Sequence, residues 1–304
     1  MRKFPAALVI LGLATVGLAG CSLPGSSDCS PSASDAELLE LVQVGESAGE
    51  VDFYTPFHTE ESSSATVEEG DGETAITRDE QIVGLDITMV SGETGEELPP
   101  LVEGGAFLGS LAPLTQVMPT WSEALECASA GSRVVIAMAP EDIDPEIASA
   151  LGLAPDESVI AVVGVDQVFL AAADGADQFN TGSGLPSVVR APDGRPGVVV
   201  PDAAAPDEVV VQTIKKGDGP VVAADSSVVA HTLSVSWSDG EVVSNTWEQQ
   251  PELIQMGEDP ALTEALEGQT VGSQVMVIVP GEGDAAGTAT IKVIDILGIL
   301  QTAS

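Results

Sequence analysis

Thr263-Glu264-Ala265-Leu266-Glu267-Gly268-Gln269-Thr270-Val271-Gly272-Ser273 runs directly into Val275-Met276-Val277-Ile278-Val279-Pro280. The first part reads as the end of a short helix stopped by Gly268, and the second as a β-branched strand entered through a glycine turn. The same order occurs earlier. Ser122-Glu123-Ala124-Leu125-Glu126 is followed by Gly131-Ser132 and another apolar run. Upstream, Glu69-Gly70-Asp71-Gly72 returns as Lys216-Gly217-Asp218-Gly219; downstream, Val165-Asp166 returns as Ile294-Asp295. Three blocks in one order identify a duplicated unit. The spacing between copies shrinks along the chain, so the first copy carries two insertions, one between Ser91 and Gln116 and one between Asp142 and Asp156. Both are rich in Gly, Pro and acids and read as surface loops.

The second copy is the clearer one. Val209 to Ile214 is β-branched, and Lys216–Gly219 turns the chain. Ser227 to Trp237 reads as a long strand with Val229, His231, Leu233, Val235 and Trp237 on one side. Ser238-Asp239-Gly240-Glu241 is a hairpin-type turn. Val242-Val243, a polar loop and a short strand from Glu252 to Met256 follow. Asp259 caps a helix that has Pro260 in its first turn and ends at Leu266. Strands over Val275–Val279 and Thr290–Leu297 complete the copy. The pattern is α+β, antiparallel sheet with one short helix per copy.

The N-terminus sets an expected location. Arg2 and Lys3 precede an apolar run from Ala6 to Ala19, too short and wrongly flanked for a lasting membrane span. It ends in Leu18-Ala19-Gly20-Cys21, which resembles a bacterial lipobox. The resemblance implies a signal peptide over 1–20, lipidation of Cys21, and a protein held to the outer face of the cell membrane by that anchor alone. Ser22 to Ser34 is Ser, Pro and Gly with little else and reads as a flexible tether, assigned to 21–42 with the anchor. The expected domains are 43–178 and 209–304, with a linker and first strand over 179–208.

Composition excludes several functions. The 304 residues carry 48 acids against 9 Lys and Arg, a formal charge of −39, so nucleic-acid binding is excluded for want of phosphate-neutralising cations. No loop has calcium-binding spacing and no Cys/His pattern suits a metal, so neither metal nor cofactor is expected. Aromatic residues make up only 3 %, which leaves the cores to Val, Ile, Leu and Ala. Cys29 and Cys127 leave two readings open: a bridge in an oxidising compartment, or free thiols. Gly268 stands where the first copy has Cys127, so the fold itself does not require a cysteine there.

The run from Gly217-Asp218-Gly219 through His231, Asp239-Gly240, Ser244-Asn245-Thr246-Trp247, Ala265–Ser273, Val277–Pro280 and Val293–Ile299 resembles an FKBP-type peptidyl-prolyl isomerase domain over nearly all of 186–300. It is most similar to the tandem FKBP lipoproteins of high-GC Gram-positive bacteria. The first copy matches more loosely over about 43–178, where Val117-Met118-Pro119-Thr120-Trp121 looks like the family's segment entering its central helix. The resemblance implies two FKBP-like domains, each a curled antiparallel sheet around a short helix. It implies proline-containing exported polypeptides as partners. It also implies catalysis without nucleophile or metal, in which a dry apolar pocket favours the twisted amide.

Carried over residue by residue, the family's aromatic pocket is largely lost. The tyrosine following its histidine becomes Leu233, its Phe-Asp pair becomes Val243-Ser244, and its tryptophan floor becomes Leu262. A loop tyrosine falls near Ala286, and a late-strand phenylalanine near Lys292. In the first copy Met118 and Trp121 keep one wall and the floor. The candidate proline pocket is therefore Met118, Trp121, Leu233, Val243, Ser244 and Leu262, with weak activity expected. A silent binding module or chaperone on the same scaffold is the alternative, and a purely structural tandem a third. His231 reads as a structural histidine and Trp247 as packing or as a pocket rim.

Overall fold

The computed structural model describes residues 29, 34–45, 50–102, 104–179, 182–281 and 287–300. The signal peptide, Cys21, residues 22–28 and 30–33 of the tether, and Ala286 lie outside the described residues. No described helix is long and apolar enough to cross a membrane.

The chain opens with α1 (Ala36–Leu41), capped by Asp35 Oδ1, which accepts from the Glu37 and Leu38 amides. A hairpin of β1 (Val42–Val44) and β2 (Val51–Phe53) follows. Residues 36–42, assigned to the tether, are thus ordered. Leu38 and Val42 are buried against Ala65, Val135, Ile160 and Val162, with Phe53 and Phe57 packed beside them. Spaced apolar residues on a single helical turn are enough to dock such a segment once a sheet face is available.

The first sheet contains β3 (Ser63–Glu68), β4 (Ile82–Ser91), β5 (Ala106–Ser110), β6 (Arg133–Met138) and β7 (Val159–Val168), in the order β3-β6-β7-β4-β5 and all antiparallel. Between β5 and β6 lie α2 (Ala112–Val117) and α3 (Thr120–Leu125); α4 (Pro145–Leu151) sits between β6 and β7. Alternation divides the strands. Val83, Leu85, Ile87 and Met89 face the helices, and Val90 faces α1.

The second sheet repeats this plan. Its core strands are β11 (Val210–Lys216), β12 (Ser227–Ser236), β14 (Glu252–Gln255), β15 (Gln274–Pro280) and β16 (Ala289–Ile299). They run β11-β15-β16-β12, with β14 on β12 and α5 (Pro260–Leu266) before β15. The correspondence β3/β11, β4/β12, β5/β14, α3/α5, β6/β15 and β7/β16 is complete, as the sequence blocks require. Two strands are added at the edges: β8 (Ala176–Asp177) on β11 and β13 (Val242–Asn245) on β12. The α5 side is packed by Val228, Ala230, Val275, Val277, Ile294 and Ile296. On the opposite side lie Leu233, Val235, Trp237, Met276, Ile291 and Val293. That side is covered by residues 185–210, including the hairpin of β9 (Ser187–Arg190) and β10 (Pro196–Val199), and Trp237 Nε1 donates to the Ala203 carbonyl at 3.0 Å.

Residues 176–177, assigned to the first unit, therefore pair with the second sheet, and 185–205 form a cover rather than a bare linker. The connector after β7 is hydrogen-bonded to both sheets. The Phe169 amide donates to Ile82 O and the Leu170 amide to Leu297 O, each at 3.0 Å. Phe169 is buried with Ile82, Val229 and Leu297. The buried Asp295 accepts from the Ala173 amide at 2.8 Å and from Gln274 Nε2 at 2.7 Å, while Lys215 Nζ donates to Ala173 O. Burial raises the Asp295 carboxyl pKa despite these donors.

Candidate functional site

In the first unit the two predicted residues come together but reach no surface. Met118 and Trp121 are both 0 % exposed. Pro119 and Thr120 start α3 so that Trp121 points at the sheet, where its Nε1 lies 3.2 Å from Met138 Sδ. The two insertions contribute to the same core. Leu98 and Leu101 from the first, and Ile143, Ile147 and Leu151 from the second, pack on the cluster that contains Trp121. Met118 and Trp121 are thus corrected from pocket walls to core. The insertions are not only surface loops; their scattered apolar residues fill the helix side of the sheet.

In the second unit Leu233 is also corrected. It belongs to the cluster on the side away from α5, because successive strand residues face opposite sides. The residue directly after His231 is Thr232, and Thr232 is the one on the helix side. It is paired with Ile294, which packs with α5, and its Oγ1 is buried without a partner. The alternation of β12 therefore puts Thr232, not Leu233, on the helix side after His231. Ser244 is exposed, in register with Ser234 and, through it, with Lys292; Lys292 pairs with Val277 on the helix side. Leu262, in the first turns of α5, is partly buried against the same cluster. Val243 sits at the register shift of β13 and is 65 % exposed, so it closes no pocket. The structure therefore gathers Leu262, Ser244, Thr232 and Lys292 on the α5 side and leaves out Leu233 and Val243.

His231 lies on the other side of β12, turned toward the first unit. Its ring stacks on Trp247, centroids 4.2 Å apart and planes 18° from parallel, and its Nδ1 is 3.0 Å from Thr246 Oγ1. Trp247 is held in a turn by Asn245, whose side-chain oxygen accepts from the Trp247 amide. Burial lowers the His231 pKa from 6.5 to about 4. An unfolded histidine takes up its proton near 6.5 and the folded one only near 4, so the unfolded state binds more protons between these values. Stability is therefore expected to fall as pH drops from about 6.5 to 4, by on the order of 2 kcal/mol from this group. His231→Gln should flatten that part of a denaturation-versus-pH profile; an unchanged slope would mean that other groups produce it.

No family model matches the chain. A protein described as an FK506-binding protein from Streptomyces anulatus is 29 % identical over 90 residues, covering 28 % of this chain and 73 % of the relative. The likeness supports the FKBP-type peptidyl-prolyl isomerase family. The three FKBP domains of wheat FKBP73 align over 79 % of this chain and 94 % of theirs, at 12 % identity and a TM-score of 0.32. FkpA from Escherichia coli aligns over 39 % of this chain and 53 % of its own, at 17 % identity and a TM-score of 0.28. The leaning toward prolyl isomerase activity read from the sequence is consistent with that FK506-binding relative.

Proposed function

We propose that this chain is a lipid-anchored, extracytoplasmic FKBP-type protein acting on newly exported, proline-containing polypeptides, with weak isomerase activity confined to its C-terminal unit. In this reading Cys21 carries the anchor and the segment before α1 acts as a tether. The Cys29–Cys127 bridge supports an oxidising compartment. The observation that carries the assignment to the C-terminal unit is the burial of Trp121: a floor with no surface cannot meet a proline. On the α5 side of the second sheet, Leu262 supplies an apolar contact. Thr232, Ser234 and Lys292 supply polar groups where a dry pocket would serve better, which keeps the expected acceleration small.

The test is cis/trans exchange in a short Xaa-Pro peptide with the full chain. Acceleration is expected only at high protein concentration, and Leu262→Ala should lower it about tenfold, equivalent to about 1.4 kcal/mol of transition-state stabilisation. If the full chain produces no acceleration, the isomerase reading fails. The second reading, a catalytically silent binding module, then takes its place, and the polar groups of Thr232, Ser234 and Lys292 on the helix side of the second sheet already favour it.

A further inference from the structure

We propose that the cleft between the two units, a place separate from the helix side of the second sheet, binds an extended proline-containing peptide segment flanked by basic residues. The cleft holds a cavity of about 310 Å³, at the lower end for ligand sites and enough for a short stretch of chain. Both units build it. Arg78 and Ile82 come from the first, Leu170 from the connector, and His231, Trp247 and Pro251 from the second. The buried cluster of Ile82, Phe169, Val229 and Leu297 joins the two units next to it.

Its chemistry is specific. The stacked rings of His231 and Trp247 form an aromatic plate on one wall, and Ile82, Leu170 and Pro251 add apolar surface. Aromatic-lined grooves are what polyproline-type segments dock against, because a proline ring packs flat and its chain is already extended. Arg78 and Trp247 bring two donor-bearing side chains to the cleft lining. Trp247 Nε1 is buried with no hydrogen-bond partner among the described residues. Arg78 donates from Nη1 to the Asp193 carbonyl at 3.2 Å and forms no salt bridge among the described residues, so most of its donors remain available. Glu80 and Asp193 also line the cleft, and with a chain charge of −39 they favour basic flanks and disfavour acidic ones. His231 is uncharged at neutral pH and adds no repulsion toward them.

The inference does not rest on isomerase activity. The full chain is titrated with a blocked Lys-Pro-Pro-Lys peptide by calorimetry, beside Lys-Ala-Ala-Lys and Glu-Pro-Pro-Glu, and amide shifts are mapped on the unaltered protein. Saturable binding is expected for the first peptide and at least tenfold weaker binding for the other two. Trp247→Ala should weaken it at least tenfold. Trp247→Phe, which keeps an aromatic ring but removes the N–H, should weaken it several-fold. Glu80→Lys should also weaken it several-fold, and Leu262→Ala should leave the peptide-induced amide shifts of the cleft unchanged. Shifts confined to the cleft keep the result readable if Trp247→Ala does not fold. No saturation at millimolar peptide, equal affinity for the alanine peptide, or loss of binding with Leu262→Ala would overturn the proposal. Exchange rates measured on the same samples separate the two readings, because binding can persist where catalysis is absent.

Discussion

Cys29→Ser is expected to lower stability by about 4 kcal/mol, and the melting midpoint by roughly 10 °C or more, with reduction of the native protein giving the same shift. The two cysteines are 98 residues apart. A bridge that closes so long a loop removes much of the freedom of the unfolded chain, and the loop contains most of the first sheet. The backbone at Cys127 shows what the bridge overrides. Cys127 has φ 68°, and its counterpart Gly268 has φ 77°. Both follow the last residue of a helix cap, where the chain turns through the left-handed region. Glycine takes that conformation freely, while a residue with Cβ loses about 1 kcal/mol. The double variant Cys29→Ser/Cys127→Gly should therefore recover about 1 kcal/mol relative to Cys29→Ser alone. Thermal unfolding with and without reductant checks both statements. A midpoint indifferent to reductant would show that the bridge does not constrain the unfolded ensemble.

Trp121→Ala is expected to cost about 3–5 kcal/mol, through the loss of buried surface and the cavity left behind. Trp121 is fully buried, in a cluster to which Leu98, Leu101, Ile143 and Leu151 also belong. These residues come from the two insertions, so the cavity cannot collapse without moving both. The measurement is urea unfolding. The expected result is an early transition of the N-terminal unit, with prolyl exchange by the C-terminal unit retained at low urea. Wild-type stability together with lost exchange would instead restore Trp121 as a working pocket floor.

The contrast between Trp121 and Gly268 shows which features were legible in the sequence. Helix ends, turns and strands depend on nearby residues. The Asp259 cap, the Pro260 start and the Gly268 stop predicted α5, and the structure places it at Pro260–Leu266 with Asp259 accepting from the Ala261 and Leu262 amides. The long strand expected over 227–237 is β12 at Ser227–Ser236. Leu233 was misplaced because a one-residue shift in register moves a side chain to the other face of the sheet, and the adjacent turn does not record which side of it holds the extra residue. The Thr232 position was nonetheless available from the adjacency of His231 and Thr232. The cleft was not legible, since Arg78, Trp247 and Asp193 are far apart in the chain and meet only when the connector docks on both sheets.

The sequence by itself determined the duplication, the antiparallel α+β pattern, the boundaries of α5 and the scarcity of phosphate-neutralising charge, because each follows from local conformational preference or from a count of charges. Only the tertiary structure decided that Trp121 is sealed, that Leu233 faces away from α5, that Cys29 reaches Cys127, and that the two units enclose a cleft. These outcomes depend on which faces pack together, and burial is a property of the assembled surfaces rather than of any one segment.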